Sequence, residues 1–208
     1  MKVEVWSDYV CPFCYIGERK LALALEKTGM TEAVEIVFNS FELDPNAKKS
    51  YEENINQLIA KKYGMSMEQA ITANNNIINV AKEVDLEFNF DKLQPTNTFD
   101  AHRLSHYAKD MGKQKAYTEA VMKSYFTDAL NISDFDVLTA IAAEVGLDRV
   151  EALRILESSA FAEEVRQDEA NAYTRQIHGV PHFLFNGKEA INGAQTVDTF
   201  VAVIEGLK

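Results

Sequence analysis

Strand patterns occur only at the two ends of this chain, and that confines the fold. Lys2 to Ser7 is a short apolar run with Val3, Val5 and Trp6. A helical stretch with Leu21, Ala22, Ala24 and Leu25 runs to about Lys27 and stops at Gly29, a residue suited to the left-handed end of a helix. Val34 to Phe41 is a second strand, with Val34, Ile36, Phe38 and Ser40 on one face. Strand, helix and strand in so short a span form a βαβ unit with a parallel pair. At the other end, His182 to Phe185 is a strand, Asn186-Gly187 a hairpin turn, and Lys188 to Ile191 the returning strand. Thr196 to Leu207 closes the chain as a helix with Val197, Phe200, Val201 and Ile204 on one face.

Everything between reads as helix: Tyr51–Tyr63, Ser66–Val84, Phe99–Met111, Lys113–Ala129, Phe135–Val145, Asp148–Glu157 and Phe161–Ile177. Glycines 64, 112, 146 and 179 punctuate these stretches. Leu86 to Phe90 alternates, but too briefly to assign, and Asn74-Asn75-Asn76 reads as the exposed side of a helix. The outer pieces are expected to join into one four-stranded sheet. The chain then divides into residues 1–45 and 178–208, which form one α/β unit, and residues 46–177, a helical insertion whose ends lie close together.

The only two cysteines, Cys11 and Cys14, stand where the first strand gives way to the first helix. The first turn of a helix has unpaired N–H groups and the positive end of the macrodipole, and both favour a thiolate. Pro12 fits that turn because its missing N–H costs nothing there. Cys11 is expected at the helix entrance with an exposed sulfur, as the nucleophile. Cys14, three residues on and on the same side, is the resolving thiol. Structural zinc needs four ligands, and there is no second Cys-x-x-Cys. Redox chemistry is the better reading, with no metal.

A formal net charge of -11 and the lack of a Lys/Arg cluster exclude a nucleic-acid footprint. No apolar run approaches a membrane span, and the start, Met-Lys followed at once by a strand, has no leader pattern. The expected setting is therefore the cytoplasm, where a close cysteine pair is catalytic more often than structural.

Four stretches occur in order along nearly the whole chain. They are Ser7-Asp8-Tyr9-Val10-Cys11-Pro12-Phe13-Cys14-Tyr15-Ile16-Gly17, Asn97-Thr98 with Ala101-His102-Arg103-Leu104, Gly179-Val180-Pro181-His182-Phe183, and Ile191-Asn192-Gly193-Ala194-Gln195. With them the chain resembles the DsbA-like thioredoxin superfamily, and within it the FrnE-type branch. Phe13 is a departure, since that branch more often carries Trp there, and the residues between the cysteines tune the redox potential. The resemblance implies an α/β thioredoxin fold with a large all-helical insertion and a cis Val180-Pro181 bond facing the cysteines. It also implies a thiol–disulfide oxidoreductase or isomerase acting through a mixed disulfide on Cys11. The branch is related to 2-hydroxychromene-2-carboxylate isomerases and kappa-class glutathione transferases. Those use serine where this chain has Cys11, which favours disulfide chemistry over the alternatives of a glutathione-dependent isomerase or transferase and of a redox-switched peptide-binding module. No permanent cofactor is implied, with glutathione as a candidate co-substrate. The partners are protein or small thiol and disulfide substrates, and the chain is a monomer or a homodimer.

Several residues are candidates for the surroundings of the pair. The backbone edge at Val180-Pro181 would hold an extended substrate by strand addition. Tyr9, Phe13 and Tyr15 would form an apolar rim or, alternatively, part of the core. His102 reads alternatively as a satisfied core or cleft residue, but the resemblance implies a position overhanging the cysteines, with His102 as a proton shuttle and Arg103 as a permanent cation. His106, four residues after His102, reads as a solvated helix residue, and Asp8 as a loop cap. His178 and His182 flank the Gly-Val-Pro loop. Met65 and Met67 read as core fillers.

Overall fold

The computed structural model describes all residues, 1–208. The sheet is built from both chain ends: β1 (Lys2–Ser7), β2 (Glu35–Ser40), β3 (His182–Phe185) and β4 (Glu189–Asn192), in the order β2-β1-β3-β4. β1 pairs parallel with β2, and antiparallel with β3, which pairs antiparallel with β4. The expected four-stranded sheet forms because α1 (Pro12–Thr28) makes the βαβ crossover and the β3–β4 hairpin adds to the free edge of β1. Asn186 and Gly187 both take positive φ, as the two-residue hairpin turn demands.

β1 is central, and its second half, Val5 to Ser7, is buried on both faces. Val3 and Val5 point into a core with Leu21 and Leu25 of α1, Phe183, Phe185, and Phe200 and Ile204 of α9 (Val197–Gly206). Trp6 points the other way, to Ala172, Ile177 and Leu184. This is the period-2 division of a strand between two layers.

Seven helices stand between β2 and β3: α2 (Ile55–Tyr63), α3 (Met67–Lys82), α4 (Phe99–Asp110), α5 (Gln114–Phe126), α6 (Phe135–Glu144), α7 (Arg149–Leu156) and α8 (Ala162–Thr174). Their starts are written locally. Asn54 with Gln57, and Ser66 with Gln69, form reciprocal capping boxes, and Asp134 and Asp148 cap α6 and α7. The Asn54 cap moves the start of α2 from the expected Tyr51 to Ile55.

The structure corrects three expectations here and settles the segment too short to assign from its pattern. Asn74 is buried, donating to Asn56 Oδ1 at 2.6 Å, whereas Asn75 and Asn76 are exposed. Met67 is exposed rather than a core filler. His106 is buried, with Nε2 3.1 Å from Ser40 Oγ and 3.2 Å from Asp168 Oδ2, so it ties α4 to β2 and α8. Leu86, Phe88 and Phe90 alternate without being a strand. The segment hangs on the end of α5 through Asn89 N–H to the Phe126 carbonyl (2.7 Å) and Thr127 Oγ1 to the Glu87 carbonyl (2.7 Å). Its alternate side chains drop into the aromatic pile of Tyr15, Phe88, Phe90 and Phe126.

Candidate active site

Pro12 occupies the first position of α1 and Cys11 is its N-cap residue, with extended backbone and no side-chain cap bond. The cysteine turn is closed by Cys11 N–H to the Asp8 carbonyl (3.1 Å) and Cys14 N–H to the Cys11 carbonyl (3.0 Å). The Val180-Pro181 bond is cis. The Val180 carbonyl lies 3.8 Å from Cys11 Sγ. Gly17, one turn into α1, lets the helix approach this loop. A Cβ there would come within 3.0 Å of the Phe183 ring and 3.1 Å of Pro181 Cγ.

Both thiols are free, and both are buried. Cys11 is 6% exposed, so the exposed sulfur expected at the helix entrance is instead sheltered beside the cis-proline loop. The two sulfurs differ in their proton affinity. Cys11 is lowered from its ordinary value, first by the Cys14 thiol donating to its sulfur and then by the first-turn N–H groups of Cys14 and Phe13. Burial and the Asp8 charge oppose this without reversing it. Cys14 is pushed well up, chiefly by burial and then by the neighbouring Cys11 sulfur. The Asp8 N–H, 3.5 Å from Cys14 Sγ, pulls weakly the other way. The pair is thus an outer thiol whose proton affinity is lowered by its neighbours and an inner one whose proton affinity is raised by burial.

The other sequence candidates separate clearly. Tyr9 and Tyr15 are core residues, and only Phe13, 44% exposed, is free to form a rim. Asp8 is a loop cap, accepting from Leu43 N–H at 2.7 Å, and its second oxygen lies 3.4 Å from His102 Nε2. His102 is buried behind Asp8 and packs on the Tyr9 ring, so it is screened from substrate and reaches the cysteines only through Asp8. Arg103 does not reach them. Its guanidinium is spent on Asp100 Oδ1 and on the carbonyls of Ile155, Leu156, Ser158 and Ala160 at the end of α7. A buried Arg satisfies its planar fork of donors with what surrounds it, here a helix C-terminus. His182 bonds Asn192 Oδ1 at 2.6 Å and packs on Trp6, whereas His178 is exposed beside the loop.

Sequence reasoning missed Glu18. It lies four residues after Cys14 on α1, a spacing that puts both on one helix face. It accepts from Ser7 Oγ at 2.8 Å and lines a cleft of about 470 Å³ with Tyr15, Arg19, Lys115 and Glu119. Burial raises its carboxyl to about 8, against the Ser7 hydrogen bond and with a further push from Cys11. The i, i+4 spacing from Cys14 was the available signal.

This arrangement has relatives. A family model for the DSBA-like thioredoxin domain matches residues 2–205. The chain belongs to the DsbA-like thioredoxin family. Within reach of it, the uncharacterized Bacillus subtilis protein YwbO is 33% identical over 204 residues, covering 97% of this chain and 94% of that protein. A solved structure described as a probable DsbA oxidoreductase from Streptomyces coelicolor is 35% identical. It superposes with a TM-score of 0.94, covering 99% of this chain and 89% of that one. The cytosolic disulfide reductase DsbM of Pseudomonas aeruginosa shares the fold, with a TM-score of 0.71, 16% identity and coverage of 100% and 98% of the two chains. No helix of this DsbA-like chain is long and apolar enough to cross a membrane.

Proposed function

We propose that the protein is a thiol–disulfide oxidoreductase of the FrnE type, working in the cytoplasm, in which Cys11-Pro12-Phe13-Cys14 cycles between dithiol and disulfide. The observation that carries this reading is the asymmetry of the two sulfurs beside a cis-proline carbonyl. The Cys11 thiolate attacks a substrate disulfide, forming a Cys11 mixed disulfide and releasing one substrate thiolate, which takes a proton from solvent. Cys14 then gives up its proton and attacks the Cys11 sulfur. The second substrate thiolate leaves, the substrate disulfide is reduced, and the protein pair is oxidised. Run backwards, the same steps oxidise a dithiol. The cis-Pro loop offers its backbone edge to an extended substrate, and Phe13 supplies an exposed apolar contact. Glutathione is the proposed small-thiol co-substrate.

The inner thiol needs a base for its step. Asp8 is engaged by Leu43 and His102. Glu18 is free of cationic partners, lies on the same helix face as Cys14, and is poised near neutral pH. Glu18 is therefore the proposed proton acceptor, passing the proton to solvent through the cleft it lines.

The test is the redox equilibrium of the pair in glutathione buffers, read by thiol trapping and mass. A two-electron transition between about -120 and -270 mV supports disulfide exchange. A pair that never closes, and that instead holds glutathione on Cys11, would overturn it in favour of a glutathione-dependent reaction.

A further inference from the structure

Asp8 is in contact with both cysteines. Its carbonyl accepts from Cys11 N–H at 3.1 Å, and its own N–H lies 3.5 Å from Cys14 Sγ. Its carboxylate is held by two other parts of the chain. Oδ2 accepts from Leu43 N–H, just after β2, at 2.7 Å, and Oδ1 lies 3.4 Å from Nε2 of His102 on α4. Both side chains are enclosed, and the Tyr9 ring packs on the imidazole with 4.7 Å between centroids.

The exchange steps above give this couple no part. A cap for Leu43 N–H needs an oxygen and not a charge, and asparagine would supply one. What the carboxylate adds is a negative charge, in a dry site, beside a thiol that has to ionise. No lysine or arginine pairs with it, and His102 is its one side-chain partner. An ionised carboxylate only accepts, so the imidazole presents Nε2–H to it and offsets part of its charge. The other carboxylates near the couple have partners of their own, Glu18 in Ser7 and Glu42 in Arg166.

Charge at this place bears on the direction of electron flow. The Cys11 thiolate exists only in the reduced pair, so whatever disfavours it favours the disulfide. The Asp8 charge opposes ionisation of Cys11. A pair biased in this way gives its two electrons more readily to a substrate disulfide, which leaves as two thiols.

We propose that Asp8 and His102 are positioning residues of the exchange reaction: the Asp8 carboxylate biases the pair towards its disulfide form, and so towards work as a reductant, and His102 moderates that bias through Asp8. The inference rests on the thiol–disulfide reading above and adds a direction to it.

The experiment uses the full chain, reduced and alkylated with iodoacetamide across pH, with the midpoint at Cys11 read by peptide mass. Asp8→Asn keeps an oxygen for Leu43 N–H and removes the charge. Its midpoint is expected to fall, giving about tenfold more thiolate below the parent's midpoint. In glutathione buffer at about pH 9 its equilibrium is expected to move about tenfold towards the dithiol, about 30 mV for this two-electron couple. His102→Leu is expected to raise the midpoint, and to have no effect once Asp8 is Asn. Either single variant, confirmed as folded, overturns the proposal if its midpoint stays in place or moves the other way. Loosened packing alone would move both in the same direction, so that outcome overturns it too. An Asp8→Asn equilibrium that stays put while the midpoint falls overturns the direction. The midpoints are read in reduced protein and do not depend on the pair closing. A pair that never closes in glutathione sinks the exchange reading, while the midpoints still decide whether the couple acts on Cys11.

Discussion

The molecule has two main apolar cores, and the cysteines belong to the one that the sheet does not own. The smaller core lies between the sheet, the back of α1 and α9, and is closed by Phe183, Phe185, Phe200 and Ile204. The larger is formed mostly by the helices between β2 and β3, yet it contains Tyr9, Cys11, Cys14, Tyr15 and Ile16. α1 therefore has two loyalties. Leu21 and Leu25 anchor its far end to the sheet, and its first turn is packed by aromatic residues of the helical segment. The sheet fixes where the cysteine turn is, and the helices fix how dry it is. Since desolvation is the leading cause of the high proton affinity of Cys14, the helical core supplies the Cys14 side of the difference between the two sulfurs, and the helix entrance, through the Cys14 thiol and the first-turn N–H groups, supplies the Cys11 side.

Matched truncations in the two cores test this contrast most severely. Phe126→Ala and Phe200→Ala each remove a ring that is fully enclosed, and each is expected to cost about 3–5 kcal/mol in denaturant unfolding. Only Phe126→Ala, which opens the pile against Tyr15, is expected to admit water towards the cysteines and lower the Cys14 midpoint in alkylation-against-pH profiles. Equal profiles in the two variants would mean that the cores do not divide the labour.

Gly17→Ala probes the seam where the helix meets the cis-proline loop. The added methyl would press on Phe183 and Pro181, and an over-packed contact of this kind costs about 1–3 kcal/mol. Exchange with peptide disulfides is expected to slow more than reaction with a small alkylating agent, because the loop edge is displaced and the sulfur is not. A parallel loss in both would assign Gly17 to folding alone.

Glu18→Gln acts through charge rather than volume. Its carboxyl holds its proton up to about 8 in the folded protein and releases it near 4.5 when unfolded. The folded state therefore binds the extra proton between those values, and Glu18 lowers stability as pH rises through that window. The variant is expected to be the more stable protein at pH 9, by on the order of 1–3 kcal/mol once screening is allowed for. The same change is expected to slow closure of the Cys11–Cys14 disulfide and to flatten its rise around pH 8. A variant whose closure rate and pH profile match those of the parent would remove Glu18 as the proton acceptor.

The smallest effect is expected farthest from both cores. Ser66→Ala removes one arm of the α3 capping box and should cost about 1 kcal/mol, with no change in cysteine reactivity.

Local chemistry was enough to write much of this structure. Asn186-Gly187 dictated a hairpin, Asn54 and Ser66 dictated helix starts, and Pro12 after Cys11 dictated a helix entrance with free N–H groups. Each depends on residues within a few positions of one another, and so is legible in one dimension. The burial of Cys11, the spending of Arg103 on a helix end, the enclosure of His102 and His106, and the inward turn of Asn74 were not legible. A polar residue on a helix can face water, a partner helix or a substrate with the same local pattern. Which of these holds depends on what packs across from it, and those partners come from distant parts of the chain. The sequence by itself determined the cysteine pair, the sheet-forming ends and the helical middle, because hydrophobic period and capping are local. Only the tertiary structure decided that both sulfurs are buried, that burial raises the proton affinity of Cys14, and that Glu18 is held near it. Proton affinity follows from desolvation and from charges brought close by folding, and neither exists until the chain is packed.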